Sequence, residues 1–126
     1  MLTVLVVDDD ESLRRLLHVG LSLGTAPVQV VGEATNGYEA IREAEKLQPD
    51  LIILDQQMPV CSGADALPEI LKVSPASQVL FFSAFAGAPG YEDVFQSIAR
   101  DFGVRVIPKG SLGELETAVD EIAAAA

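Results

Sequence analysis

The sequence predicts an α/β fold, a doubly wound (βα)5 domain with a five-stranded parallel sheet. Three observations predict it. Five short, mainly apolar runs, at residues 4–7, 28–31, 51–54, 79–82 and 104–107, are rich in β-branched or aromatic residues and read as apolar on both faces, the pattern of parallel strands covered on both sides. Between them the apolar residues switch to helical spacing. Turn formers separate the two kinds of segment: Asn36-Gly37, Pro49-Asp50, Pro75 and the stretch Gly87-Ala88-Pro89-Gly90.

Taken in order, the first strand at 4–7 runs into the acids Asp8, Asp9, Asp10 and Glu11. A helix follows, with Leu13, Leu16, Leu17 and Leu21 facing inward. After the second strand, Ala40, Ile41, Ala44 and Leu47 mark a second helix. The third strand, 51–54, ends on Asp55, and Leu67, Ile70 and Leu71 mark the helix behind it. The fourth strand, 79–82, leads to Ser83 and a glycine-rich loop. A helix over about 92–101 then turns Val94 and Ile98, with Phe95, toward the core. The fifth strand, 104–107, is followed by Lys109 and by a helix carrying Leu112, Leu115, Val119 and Ile122. Ser111 and Glu114 have the spacing of a capping box, in which hydroxyl and carboxylate each satisfy an orphan amide. All five strands are expected to be covered on both sides, and the closing alanines 123–126 read as a helix end or the start of a linker.

Length and composition bound the function. At 126 residues with 49% hydrophobic composition the chain is one domain with enough apolar residues for a core. Its formal net charge of -11, with only 8 Lys and Arg, argues against a nucleic-acid surface. A single cysteine, Cys61, cannot form an internal disulfide, and no apolar stretch approaches membrane-spanning length. These features predict a cytoplasmic domain that contacts neither nucleic acid nor membrane directly.

The chemistry lies where the strands end. In a parallel sheet Asp8, Asp9, Asp55 and Lys109 all come to the carboxyl edge, where open α/β folds hold their ligands. Carboxylates about 4 Å apart repel by roughly 4 kcal/mol per pair at an effective dielectric near 20, so such a cluster calls for a hard cation. Mg2+, or Mn2+ in its place, meets that need while sharing phosphate oxygens, which points to phosphoryl chemistry. Taken singly, each residue has a plainer reading. The acidic run suits a helix first turn, Asp55 and Lys109 suit turns, and Ser83 suits a strand-end cap. Their joint occurrence favours a site. His18 reads as a helix surface residue, and Cys61 has no redox partner.

The segments VLVVDDDESLRRLL, VVGEATNGYEAI, PDLIILDQQMPVCSG, VLFFSA and VIPKG together resemble the receiver domain of bacterial response regulators, across essentially the whole of residues 1–126. The resemblance implies the flavodoxin-like receiver fold and a switch in a two-component phosphorelay. Asp55, followed by Met58, Pro59 and Gly63, would take a phosphoryl group from a sensor histidine kinase or a histidine phosphotransfer protein. It also implies that Asp9 and Asp55 hold Mg2+ directly, Asp8 through water, and Gln57 by its backbone carbonyl. Ser83 would donate its hydroxyl to a phosphoryl oxygen, and Lys109 would spread the developing charge. Signalling would pass to a protein target or to an output domain on a longer chain, with phosphorylation-dependent homodimerisation open. The stretches VVGEATNGYEAI and KGSLGELETAV look most like receivers that precede a helix-turn-helix domain.

The chain departs from the family pattern in three places. Val106 stands where receivers carry an aromatic switch residue, Lys109-Gly110 replaces a Lys-Pro peptide that is cis in the family, and the loop over residues 85–90 is longer. Activation is therefore expected to run through Ser83 and that loop, with Phe85 and Gln57 flanking the approach of water. Two other classes compete. Residues 6–12 also resemble the first motif of haloacid-dehalogenase-type phosphatases, with Asp8 as nucleophile and Asp10 as acid/base, but that reading leaves Asp55 unused. A receiver-shaped interaction domain without phosphorylation would not need the full acidic and basic set.

Overall fold

The computed structural model describes every residue except Thr25. Ten elements alternate strictly: β1 (Leu2–Val7), α1 (Glu11–Ser22), β2 (Val28–Ala34), α2 (Gly37–Leu47), β3 (Leu51–Leu54), α3 (Gly63–Val73), β4 (Gln78–Ser83), α4 (Glu92–Phe102), β5 (Arg105–Pro108) and α5 (Leu112–Ala125). The strands form one parallel sheet in the order β2-β1-β3-β4-β5. The order reverses direction beside β1, so the carboxyl ends of β1 and β3 lie next to each other at the switch point of the sheet.

The period of two along each strand assigns every side chain to a layer. Leu5, Val7, Ile52, Leu54, Val79 and Phe81 pack on one face with Ala40, Ala44, Leu67, Ile70, Phe95 and Ile98 of α2, α3 and α4. On the other face Val4, Val6, Leu51, Ile53, Leu80 and Phe82 meet Leu17, Leu21, Leu115 and Val119 of α1 and α5. Both layers are apolar, which is why the central runs show no alternation in sequence.

Several expectations are corrected. Only β1, β3 and β4 are interior strands; β2 and β5 are the sheet edges, where most positions are partly buried or exposed and only Ala34 and Ile107 are buried. Leu16 and Val94 point to solvent, while Leu17 and Phe95 take the inward positions, because in each pair the helical phase lets only one face the sheet. The capping box at Ser111 does not form. Its hydroxyl makes no cap bond, Glu114 leans instead toward Arg105 at 3.6 Å, and the Ser111 carbonyl receives the Glu114 amide. A reciprocal cap does form at α2, where Asn36 accepts the Glu39 amide and Glu39 accepts the amide and hydroxyl of Thr35. Residues 123–125 belong to α5. No peptide bond among the described residues is cis, so Lys109-Gly110 is trans.

Candidate functional site

Backbone pairing builds the site before any side chain is considered. Past the last register pairs, Val7 with Leu54 on β1 and β3, the ladder extends by one rung at each strand end. The Asp8 amide donates to the Ala34 carbonyl, Asp55 to Val7 and Lys109 to Ser83, each at 3.0 Å. Asp8, Asp55 and Lys109 are therefore fixed by the sheet itself.

Their side chains converge. The Lys109 ammonium lies 2.7 Å from Asp8 Oδ2 and 3.4 Å from Asp55 Oδ2, straddling the two acids. Asp8 and Asp55 are 3% and 2% exposed, so these charges are held away from water, whereas Asp9 is exposed at the rim. One carboxylate oxygen from each of Asp8, Asp9 and Asp55 lies within 4.8 Å of the others. The second oxygen of Asp55, Oδ1, is buried with no hydrogen-bond partner among the described residues. A buried acceptor left unpaired costs roughly 1–3 kcal/mol, more when charged, and the Asp55 carboxylate sits in a cluster with two further hard oxygen donors. That donor set suits Mg2+, which binds carboxylate oxygen and retains water.

Electrostatics agree with the geometry. Burial, and then the neighbouring charge of Asp8, push the Asp55 carboxyl up to about 6, against the smaller pull of Lys109. Burial works against the charge on Lys109, but the hydrogen bond to Asp8 and the charges of Asp55 and Asp8 outweigh it and hold its pKa above the ordinary lysine value. One cation balances two buried anions, and the balance is incomplete.

The remaining residues form the surround. Ser83 closes β4 fully buried, and its Oγ accepts the Phe85 amide at 3.3 Å, an arrangement that leaves its proton free to donate elsewhere. Gln57 is exposed in the β3–α3 loop. Its neighbour Gln56, which carried no sequence signal, holds that loop: its side-chain oxygen accepts the Ala64 amide at 2.7 Å and its carbonyl accepts the Gly63 amide at 3.1 Å. In the same loop the Cys61 amide reaches back to the Pro59 carbonyl at 2.8 Å across Val60, whose φ of 72° is left-handed. That is the geometry of a γ-turn, an uncommon and strained one for a β-branched residue. Cys61 itself is buried against Gly37, and burial, followed by the charge of Asp65, raises its thiol pKa.

Phe85 stacks on Tyr91 at the start of α4, with centroids 4.7 Å apart and planes at 29°. The loop between them turns on Gly87 and Gly90, both at positive φ. Asp10, the acid/base of the phosphatase reading, is the N-cap of α1, where its Oδ1 accepts the amides of Ser12 and Leu13. Asp8, the nucleophile of that reading, is ion-paired to Lys109.

Gly63 is the tightest steric point beside the site. A Cβ there would press into the Asp55 carbonyl oxygen and come 3.0 Å from the Phe81 ring. Neither neighbour can yield, since one is backbone and the other a fully buried side chain. Gly63→Ala is expected to cost about 1–3 kcal/mol, in the range of core overpacking. Urea denaturation would measure it; an unchanged midpoint would mean the loop relaxes freely.

Residues 4–117 match the family model described as response regulator receiver domain. The chain is 35% identical over 102 residues to the chemotaxis protein CheY of Thermotoga maritima, covering 81% of this chain and 83% of that protein. It is 43% identical over 102 residues to protein-glutamate methylesterase/protein-glutamine glutaminase 4 of Hahella chejuensis, covering 80% of this chain but only 26% of that protein. Among solved structures, the response regulator domain of Thermotoga maritima CheB superposes with a TM-score of 0.75 at 32% identity, over 88% of this chain and 80% of that one.

Proposed function

The chain belongs to the response regulator receiver family, a two-component signalling domain of the CheY and CheB type, and from that premise we propose that Asp55 is its phosphoacceptor. One observation carries the assignment. Asp55 is the acid at the carboxyl edge of the sheet that is buried, bonded to Lys109 through one oxygen, and left without a partner at the other. Asp55 Oδ1 is the free nucleophile. It would attack the phosphorus of a phosphohistidine in line, the P–N bond breaking toward the imidazole as the new P–O bond forms. An ionised carboxylate needs no general base for this, and the phosphodonor's charge must be neutralised.

Asp8, Asp9 and Asp55 would hold Mg2+, with the Gln57 carbonyl completing the protein's share. When bound, the cation supplies charge neutralisation to the phosphoryl oxygens. Lys109, already placed between Asp8 and Asp55, offers its ammonium to the same oxygens, and Ser83 offers its free hydroxyl proton. Because Ser83 also accepts the Phe85 amide, a shift of this hydroxyl is transmitted to the β4–α4 loop and, through the Phe85–Tyr91 stack, to the start of α4. That path stands in for the aromatic lever that Val106 cannot provide.

In this reading the domain is not an enzyme beyond its own phosphorylation and dephosphorylation. Its partners are a histidine kinase or phosphotransfer protein on one side and a protein target on the other, in the cytoplasm. No helix among the described residues is long and apolar enough to cross a membrane. The methylesterase activity named for the longer relatives is theirs and is not assigned here. The phosphatase alternative finds no support in the site, where Asp10 caps a helix.

Incubation with an acyl phosphate should add one acid-labile phosphoryl group, located by peptide mapping to Asp55, and a chelator should prevent it. Labelling at another residue, or labelling indifferent to chelation, would remove the assignment.

A further inference from the structure

Beyond the acids and the lysine, one cation is tied into the site from outside it. Arg14 lies in the first turns of α1, and its side chain is only 14% exposed. Its Nη1 donates to the backbone carbonyl of Asp8 at 2.8 Å, and its Nε donates to Glu33 Oε1 at 3.0 Å. The guanidinium thus bridges the end of β1 to β2, whose Glu33 is the register partner of Val6.

The Asp8 carbonyl belongs to the peptide plane that joins Asp8 to Asp9. On one side of that plane the Asp8 amide is fixed by Ala34, and the Asp8 carboxylate accepts the Asp10 amide at 2.9 Å. The plane itself is held by Arg14. Without that bond the Asp8–Asp9 peptide keeps its flanking restraints but loses the one on its own carbonyl, and the approach of the exposed Asp9 carboxylate to Asp8 and Asp55 is less tightly set.

Resting on the assignment of a divalent-cation site to Asp8, Asp9 and Asp55, we propose that Arg14 is a positioning residue for that site, acting through the Asp8–Asp9 peptide. Its planar fork fits two acceptors set at an angle, which a lysine cannot copy. Charge alone predicts the opposite behaviour. A guanidinium beside a cation site repels the ion, so removing it should tighten binding, whereas losing a positioning contact should weaken it. The sign of the change therefore separates the two.

The test titrates Mg2+ alone into the wild-type chain, Arg14→Gln and Arg14→Lys, following heat and the Asp9 amide resonance, with thermal unfolding of each in chelator. Both variants should bind Mg2+ about 10-fold or more weakly, the usual effect of removing a contact that orients a ligand. The Mg2+ concentration for half-maximal labelling by an acyl phosphate should rise in parallel, with the rate at saturating Mg2+ kept. Equal or tighter binding in Arg14→Gln would overturn the proposal, as would normal affinity in Arg14→Lys, which would mean that the two directed contacts of the guanidinium are not needed. Should Arg14→Gln fail to fold, Arg14→Lys decides alone. A wild-type chain that binds no Mg2+ would instead take away the site assignment, and this proposal with it.

Discussion

Asp55→Asn is expected to abolish acid-labile labelling by an acyl phosphate and, at the same time, to make the metal-free domain more stable at neutral pH. The first effect follows from removing the nucleophile. The second follows from the state of the carboxyl in the fold. Burial and the charge of Asp8 raise Asp55 from the ordinary 3.8 to about 6, so the folded chain binds this proton more tightly than the unfolded chain does. A raised acid works against folding once it is ionised. Its penalty is absent below about 3.8, grows as pH rises through 6, and reaches at most about 3 kcal/mol above that. Asparagine keeps the shape and cannot ionise.

In chelator, the stability difference between Asp55→Asn and wild type should therefore widen from pH 4 to pH 7 and then level off. Each kcal/mol would move Tm by roughly 4 °C in a chain of this size. Mg2+ should narrow the gap, because it binds the folded wild type and stabilises it by mass action. Thermal melts at a series of pH values check this directly. A pH-independent difference would show that Asp55 is not the group with the raised pKa, whatever the labelling result.

Lys109→Met should have the largest effect in the other direction. The lysine is the sole counter-charge given to Asp8 and Asp55 by salt-bridge contact among the described residues. Breaking such a pair leaves the buried acids uncompensated, at a cost of about 3 kcal/mol or more at pH 7 without divalent cation. The loss should shrink as pH falls through about 6 and Asp55 takes up its proton. Combining it with Asp55→Asn should recover much of the stability, since the two residues share one network and their effects are not additive. The labelling rate should fall by about 100-fold, the order seen when one charge-stabilising donor is lost. Urea melts of the four-member cycle and timed labelling give both numbers. A neutral Lys109→Met would mean that the lysine does not offset the buried acids.

The local pattern carried most of the architecture. An apolar run too short for a helix and bounded by turn formers has few options besides a buried strand, so 51–54 was legible to the residue. The acids and the lysine after those runs were legible for the same reason, because a strand end places the next side chain at the sheet edge. Edge position was not legible. Residues 28–31 and 104–107 each carry one polar residue, Gln29 and Arg105, which hints at exposure but does not by itself place a strand, and the order β2-β1-β3-β4-β5 puts both at the edges. Nor could spacing choose between Leu16 and Leu17, or between Val94 and Phe95, since adjacent residues differ by about 100° on a helix and the sheet selects one.

The (βα)5 fold, the receiver resemblance and the acidic and basic set were written locally in the chain, because strand length, helical period and the residue after each strand are properties of a few consecutive positions. Packing in three dimensions set the rest: Lys109 straddles Asp8 and Asp55, Asp55 Oδ1 is left unpaired, Ser111 and Glu114 form no cap, and Arg14 fastens the Asp8 carbonyl to Glu33. Those contacts join residues far apart in the chain or set competing partners against one another. They exist because the strand order β2-β1-β3-β4-β5 gathers separate strand ends on one edge of the sheet, a proximity that no local pattern encodes.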